Sequence, residues 1–172
     1  MTSWIVVTAL LALVGQFSPT DPWVNLRFFV GSWQGTSTGE PGNGTVSRTY
    51  EFVLGNKFLH VRNKSTYPPQ EKNPKGEVHE DWGMVSYDSA RKKLVFRQFH
   101  GEGFVNQYID QSQSRQEIIF ASELIENLPR GYRARETYRI LNADEFVERF
   151  ELAQPGRDFE TYSETRFRRS KR

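Results

Sequence analysis

The sequence predicts an all-β protein: a single antiparallel up-and-down β-barrel of about ten strands, with a short amino-terminal helix plugging one end. Three observations favour this fold. Short segments rich in aromatic and β-branched residues recur along the 172 residues, turn-forming residues separate them, and no segment after Phe29 has the 3.6-residue period of a helix. The missing helices argue against a parallel sheet, and closing an antiparallel sheet into a barrel removes its exposed edges.

Residues 1–19 contain an apolar run, at positions 5–14, that is too short to span a membrane and lies where a secretory signal would. No Lys or Arg precedes this run, so a membrane tether or a packed terminal segment remains an alternative. We therefore expect an exported protein, periplasmic or extracellular, and otherwise a cytoplasmic one. In either case we expect no stable membrane span, and residues 20–172 form the barrel domain.

A helix of one or two turns is predicted just before the first strand. Thr20 or Asp21 can accept hydrogen bonds from its first free N–H groups, and Pro22 suits the first helical position. The apolar face of this segment consists of Trp23, Val24, Phe28 and Phe29. Such a face would plug one end of the barrel.

Gly31-Ser32-Trp33 opens the first strand. Gly31 allows a sharp turn into the strand, and Trp33 is expected to point inward together with Gly35 and Gly39. The later strands are predicted at residues 45–53, 57–67, 77–87, 93–100, 102–109, 116–122, 132–141, 145–152 and 159–169. The polar stretch 68–76 is too long for a hairpin turn and predicts a mobile flap over the barrel mouth.

Alternation along the strands predicts which side chains face the interior. Arg133, Arg135 and Arg139 share one face of their strand and must meet solvent, so the opposite face points inward. Extending this alternation to the other strands predicts an aromatic but polar interior. The candidate ligand-binding residues are Trp33, Arg48, Phe52, Phe96, His100, Tyr108, Glu136, Tyr138, Glu148 and Phe150.

Three charged side chains are predicted inside the barrel: Arg48, Glu136 and Glu148. Buried charges are costly unless paired, so these groups should contact one another or a ligand. The planar guanidinium of Arg48 would suit a carboxylate. Two inward carboxyl groups could also act as acid and base in an enzyme, although the sequence shows no nucleophile next to a histidine and we predict no catalytic residue.

The sequence contains no cysteine and three histidines, His60, His79 and His100, on three different predicted strands. Because no two of them have the short spacing that tetrahedral metal sites often show, the sequence predicts no metal site. A single inward histidine could ligate haem iron, and His100 has the best inward phase. A strand-end histidine bonded to backbone is the alternative.

Residues 166–172 carry five basic side chains and no acid, within a net charge of +2. Such a tail could touch phosphate, but it is more typical of a solvated end that keeps an edge strand soluble. We predict no nucleic-acid partner.

With these features assembled, the chain resembles the calycin-like barrels, which include lipocalins, fatty-acid-binding proteins and nitrobindin-like haem-binding barrels. The Gly-x-Trp-x-Gly pattern at residues 31–35, the strand count and the chain length are most similar to the nitrobindin-like type or a related uncharacterised family. The resemblance implies that an arginine of the last strand, Arg168 or Arg169, stacks on Trp33.

Two departures from the nitrobindin-like pattern concern haem. The haem-ligating histidine of the last strand is missing, and so is the Tyr-Pro-Thr sequence that follows the Trp motif. Haem binding would then need His100 or Tyr162 as the ligand.

These observations predict a non-enzymatic barrel that binds a small apolar or amphipathic molecule, lipophilic or carboxylate-bearing, with its cofactor unknown. A haem-binding barrel is the first alternative, and a lipocalin-fold enzyme using acid/base carboxylates is the second. A barrel whose interior is filled by side chains would bind nothing.

Overall fold

The computed structural model describes residues 21–171, which form one closed antiparallel β-barrel. A 3₁₀ helix, Arg27–Phe29, precedes ten strands. The strands are β1 (Gly31–Gly39), β2 (Gly44–Val53), β3 (Phe58–Tyr67), β4 (Glu77–Asp88), β5 (Lys93–His100), β6 (Val105–Asp110), β7 (Glu117–Glu126), β8 (Arg133–Asn142), β9 (Glu145–Ala153) and β10 (Glu160–Arg169).

Each strand pairs with its neighbours in sequence, and β1 pairs with β10 to close the barrel. The predicted fold class is confirmed in its all-β, up-and-down form. Two strand bounds differ from prediction by more than one residue. Strand β6 begins at Val105 because the chain turns through Gly103 at φ 92°, and β7 continues to Glu126 past an irregularity opposite Gln107 and Tyr108.

The terminal plug differs from the predicted helix of one or two turns. The chain forms turns and then the single 3₁₀ turn, in which side chains three residues apart share a face. Trp23, Leu26 and Phe29 are buried at this spacing, whereas Val24, predicted to face inward, is 42 % exposed. Asp21 caps the segment as predicted, accepting a hydrogen bond from the N–H of Trp23 at 3.0 Å. Thr20 and the expectations for residues 1–19 lie outside the described residues.

Arg169 fastens this plug to the last strand. Its guanidinium carbon lies 4.2 Å from the centroid of the Trp33 ring, and its terminal nitrogens donate to the carbonyls of Phe28 and Val30 at 2.8 and 2.9 Å. Of the two arginines that the resemblance implied, the stacked one is therefore Arg169. Arg168 instead donates to Glu145 at 3.1 Å on the surface.

Residues 68–76, which the sequence predicts to be a mobile flap over the barrel mouth, contact the β1–β2 turn. The side chain of Gln70 accepts from the N–H of Asn43 at 2.8 Å and donates to the carbonyl of Asn43 at 3.0 Å. These two bonds join the β3–β4 loop to the β1–β2 turn. The loop is therefore tied to the rim of the barrel.

The barrel interior has two unlike halves. The half next to the 3₁₀ helix is filled by a continuous apolar cluster that includes Trp33, Phe96, Tyr108, Phe146 and Phe167. The half at the opposite end is lined by polar and charged side chains and contains a cavity. Among the helices of the described residues, none is long and apolar enough to cross a membrane.

Candidate functional site

The candidate site is a cavity of about 460 Å³ in the half of the barrel away from the 3₁₀ helix. Its mouth is formed by residues of the β1–β2 turn and the β7–β8 loop, among them Pro41, Leu128 and Pro129. Apolar side chains from β7 and β9, including Ile125, Phe150 and Leu152, cover part of its wall. Polar side chains form its floor, where it meets the apolar cluster.

An ion pair between β2 and β9 crosses the floor. Both terminal nitrogens of Arg48 donate to the two carboxylate oxygens of Glu148, at 2.6 and 2.8 Å, and each side chain is only 8 % exposed. The Nε of Arg48 donates to Asn63 Oδ1 at 2.8 Å. The carboxylate of Glu148 keeps the pKa of Arg48 well above its usual range although burial acts in the opposite direction. The sequence predicts that the inward charged groups contact either one another or a ligand. In the structure Arg48 and Glu148 contact each other.

Glu136 of β8 is the second buried carboxyl group of the floor. Its burial, reinforced by the negative charge of Glu148, raises its pKa to about 8. The hydroxyl of Tyr138 donates to Glu136 Oε2. At neutral pH Glu136 is therefore an uncharged carboxylic acid that can both donate and accept hydrogen bonds.

Asp81 of β4 is almost fully buried, and three polar side chains contact its carboxylate. Asn63 and Gln98 donate to its two oxygens at 2.7 and 2.9 Å, and His79 Nε2 lies 3.4 Å from Oδ2. Burial alone would raise the pKa of Asp81, but the bond from His79 and the charge of Arg48 outweigh burial and lower it. Asp81 is therefore a charged acceptor at neutral pH.

Two histidines and a glutamate stand side by side on the cavity wall. His79 Nε2 lies 3.3 Å from His100 Nδ1, and His79 Nδ1 lies 2.7 Å from Glu102 Oε1. The hydrogen bond to Asp81, supported by Glu102, raises the pKa of His79 to about 9, whereas burial lowers the pKa of His100 to about 4. The His100 ring stacks on Phe104 with centroids 4.0 Å apart.

The spacing of the histidines along the sequence does not reveal this cluster. Strands β4 and β5 form a hairpin in which Asp88 pairs with Lys93 and Asp81 pairs with His100. Continuing that register brings His79 to the turn that carries Glu102. The predicted strands at residues 77–87 and 93–100 already contained this information, because the short turn between them fixes the register of the hairpin.

Asn106 of β6 occupies the floor with one polar atom unused. Its side-chain nitrogen donates to the Tyr108 hydroxyl at 2.7 Å and lies 3.1 Å from His100 Nε2. The residue is 1 % exposed, and no described residue offers a hydrogen-bond partner to its Oδ1. Turning the amide would exchange oxygen and nitrogen and still leave one of them without a partner. An unsatisfied buried amide is costly, and Asn106 is one of the residues that line the cavity.

The structure divides the ten predicted ligand-binding residues between the two halves of the barrel. Five of them line the cavity: Arg48, His100, Glu136, Glu148 and Phe150. The apolar half holds Trp33, Phe96, Tyr108 and Tyr138, which are buried in the packed cluster, and Phe52, which packs edge-on against Trp23 at 5.4 Å. Tyr162, the other residue considered as a haem ligand, lies at the rim of the cavity.

Sequence analysis missed several polar residues of the site. Asn63, His79, Asp81 and Asn106 line the cavity. The alternation of buried positions along β3, β4 and β6 is the signal that could have identified them.

Comparison with known proteins shows a shared fold. No family model matches the chain, and no curated protein matches its sequence. The crystal structure of Rv2717c from M. tuberculosis superposes with a TM-score of 0.67 at 16 % identity, over 87 % of this chain and 98 % of that one. This likeness establishes the barrel.

Two designed proteins also match, at lower similarity. A redesigned β-barrel has a TM-score of 0.45 at 10 % identity, over 84 % of this chain and 94 % of its own. A de novo fluorescence-activating β-barrel has a TM-score of 0.42 at 16 % identity, over 84 % and 95 %. The affiliation of this chain to the calycin-like barrels, and to the nitrobindin-like type among them, remains a prediction.

Proposed function

We propose that the protein binds a small amphipathic molecule in the barrel cavity, with an uncharged hydrogen-bonding group on the floor and an apolar body towards the mouth. The observation that carries this proposal is a cavity of about 460 Å³ whose lining combines apolar side chains with buried polar ones, among them the Asn106 amide with its unpaired Oδ1. Cavities of this size in proteins commonly hold drug-sized molecules. Ile125, Phe150 and Leu152 supply apolar surface above the floor.

An uncharged group suits this floor better than the carboxylate considered from sequence. The guanidinium of Arg48 already donates to both oxygens of Glu148 and to Asn63. Asp81 adds a second buried negative charge to the same network. A ligand carboxylate would have to compete with Glu148 for Arg48 and with Asp81 for His79, which is unfavourable in a buried site. Amide, hydroxyl and protonated acid groups avoid this cost.

The residues of the cavity do not fit haem. His79 and Asn106 lie 3.3 and 3.1 Å from the two ring nitrogens of His100, so a porphyrin, which is far larger than a single metal ion, would have to displace one of these side chains to reach a nitrogen. Burial, with the nearby charge of Glu77, raises the pKa of Tyr162, which disfavours the phenolate that would ligate iron. The floor is crossed by charged groups where the faces of a porphyrin would need apolar contacts.

An acid/base enzyme has less support than a binding protein. Glu136 has the raised pKa of a general acid, but Glu148 is held by Arg48 in a bidentate pair. Only one of the two carboxyl groups is therefore placed to exchange a proton with a ligand.

Two fluorescent probes with the same dye test the proposal: dansyl-aminohexanoic acid and its primary amide, each titrated into the metal-free protein in EDTA. We expect saturable binding of the amide, with weaker binding of the acid at neutral pH. Asn106→Leu should lower the affinity for the amide probe by about 5-fold to 100-fold, the range that corresponds to one unpaired buried polar group. Tighter binding of the acid would refute the uncharged floor.

Two matched variants of β7 locate the binding. Ile125→Trp fills the cavity and should abolish binding of both probes, whereas Leu124→Trp enlarges the exposed neighbour on the outer face and should leave binding unchanged. If Ile125→Trp and Leu124→Trp bind the probes with equal affinity, the probes bind outside the barrel cavity. A parallel titration with hemin should give no shifted Soret band, and a shifted band lost in His100→Ala or Tyr162→Phe would favour haem.

A further inference from the structure

We propose that His79, His100 and Glu102 form a binding site for a divalent transition-metal ion on the wall of the cavity. One donor atom from each of the three side chains lies within 4.8 Å of the other two. This inference goes beyond the organic ligand proposed above and does not require it. It also departs from the prediction of no metal site, which depended on histidine spacing along the sequence.

The separation of the two imidazoles matches a shared metal ion. His79 Nε2 and His100 Nδ1 are 3.3 Å apart. Zinc–nitrogen bonds of about 2.0–2.1 Å at a tetrahedral angle place two nitrogens about 3.3–3.4 Å from each other. An ion bonded to both nitrogens therefore needs almost no change in the distance between the rings.

In the metal-free protein each imidazole has a polar contact at its other ring nitrogen, and the contact of His100 is of the kind that orients metal-binding histidines. His79 Nδ1 lies 2.7 Å from Glu102 Oε1, and His100 Nε2 lies 3.1 Å from the Asn106 amide. These contacts leave Nε2 of His79 and Nδ1 of His100 facing each other. The ring of His100 is further fixed by its stack on Phe104.

Two carboxylates complete the site: Glu102 supplies the third ligand, and Asp81 supplies a nearby negative charge. Glu102 is about half exposed, so its side chain can leave His79 Nδ1 and turn to place an oxygen on the ion. Asp81, held by Asn63 and Gln98, keeps a buried negative charge 3.4 Å from His79 Nε2. Negative charge at this distance lowers the energy of a bound cation.

The geometry leaves the ion with an open position. His79, His100 and Glu102 all line the cavity. Three protein ligands leave a fourth position of a tetrahedral ion for water or for a polar group in the cavity. Two imidazoles and one carboxylate are a ligand set that suits zinc, cobalt, nickel, copper and ferrous iron.

Titration of the metal-free full chain with Co²⁺ tests the proposal, because tetrahedral Co²⁺ has intense visible absorption. We expect one equivalent to bind and Zn²⁺ to displace it, with the zinc affinity measured against a chromophoric chelator. His79→Ala and His100→Ala should each lower the zinc affinity at least about tenfold, and Glu102→Gln should lower it less.

His60 provides the matched control. It lies on β3, away from the cluster, and packs edge-on against Trp82 with ring centroids 5.7 Å apart. His60→Ala should bind zinc with the same affinity as the unchanged protein. His79→Gln and His100→Gln replace the alanine variants if circular dichroism shows that those do not fold.

The proposal is overturned if the protein gives no tetrahedral Co²⁺ spectrum at one equivalent, or if the His79 and His100 variants bind zinc as tightly as the His60 variant. The outcome is separable from that of the proposed function, since the probe titrations are run in EDTA and the metal titrations without probe. If the protein binds the fluorescent probes but no metal ion, the two imidazoles are only hydrogen-bonded to each other and do not form a metal site.

Discussion

Arg48 and Glu148 show how one buried pair shapes the floor of the cavity. Taking both charges out of water is expensive, and their attraction compensates only when the geometry is good and other donors and acceptors are satisfied. Here the pair is bidentate, and Asn63 accepts a further bond from Arg48. Removing one partner leaves an uncompensated charge, whereas removing both does not.

Arg48→Met should lower the free energy of unfolding by about 3–5 kcal/mol, since Glu148 would stay buried without its partner. The double variant Arg48→Met with Glu148→Leu should recover most of that loss. Urea unfolding at pH 7 measures both. Arg149→Met is the control, because its surface pair with Glu164 is about half exposed and should contribute under about 1 kcal/mol. Equal losses in Arg48→Met and Arg149→Met would contradict a structural role for the buried pair.

Glu136 should make the protein less stable as the pH rises. Its pKa is about 8 in the folded protein against 4.5 in the unfolded chain, so between these values the folded state binds more protons. The stability it contributes is complete below pH 4.5 and is lost progressively as the pH rises to 8. The groups that face it are Tyr138, Tyr108, Glu148 and Arg48.

Glu136→Gln isolates this effect from the other titrating groups. Glutamine keeps the shape and an acceptor for Tyr138 but carries no charge, so the variant should gain stability relative to the original protein as the pH rises from 5 to 8.5. Thermal unfolding followed across that range gives the difference at each pH. Parallel curves for the two proteins would show that Glu136 does not titrate in the folded state as described.

At the scale of elements, β10 fastens the terminal plug through one residue. Arg169→Ala removes the stack on Trp33 and the donors to the carbonyls of Phe28 and Val30, and should destabilise the protein by about 2 kcal/mol. Arg168→Ala, at a side chain that is 77 % exposed, should change stability by less than about 0.5 kcal/mol. Urea unfolding compares the two, and a loss confined to Arg168→Ala would reverse the assignment.

The strands could be predicted from sequence because each one carries its own alternation and ends in a recognisable turn. The inward positions on β8 illustrate this: Glu136 and Tyr138 were predicted inside because arginines occupy the other face, and both are buried. The terminal helix was predicted wrongly since its apolar residues recur every three positions, as Trp23, Leu26 and Phe29, which suits a 3₁₀ turn.

The candidate site was harder to predict, because alternation gives the face of a strand but not the depth at which a side chain lies. Trp33 and Phe96 were correctly placed inside the barrel, but they lie in the packed half and not at the cavity. The cluster of His79, His100 and Glu102 depends on the register between β4 and β5. Depth and register follow from the closed barrel as a whole.

At the scale of the whole molecule, one half of the barrel is packed and the other contains the cavity. The terminal plug and the residues it covers fill one end with apolar side chains, which supplies hydrophobic stabilisation. At the other end polar side chains, most of them hydrogen-bonded to one another, surround an open volume. Stability and a binding cavity are thus separated along the axis of one barrel.

Hydrogen exchange should show this separation, because every strand passes through both halves and serves as its own control. In β9, the amide of Phe146, within the packed half, should exchange only through global unfolding, whereas the amide of Leu152, beside the cavity, should exchange faster through local opening. The same contrast is expected between Tyr50 and Val46 in β2. A ligand in the cavity should slow exchange at Leu152 and Val46 more than at their partners, because it binds the closed form of that half. Uniform protection along β9 would mean that the barrel opens as a single unit and that the hollow half is as stable as the packed one.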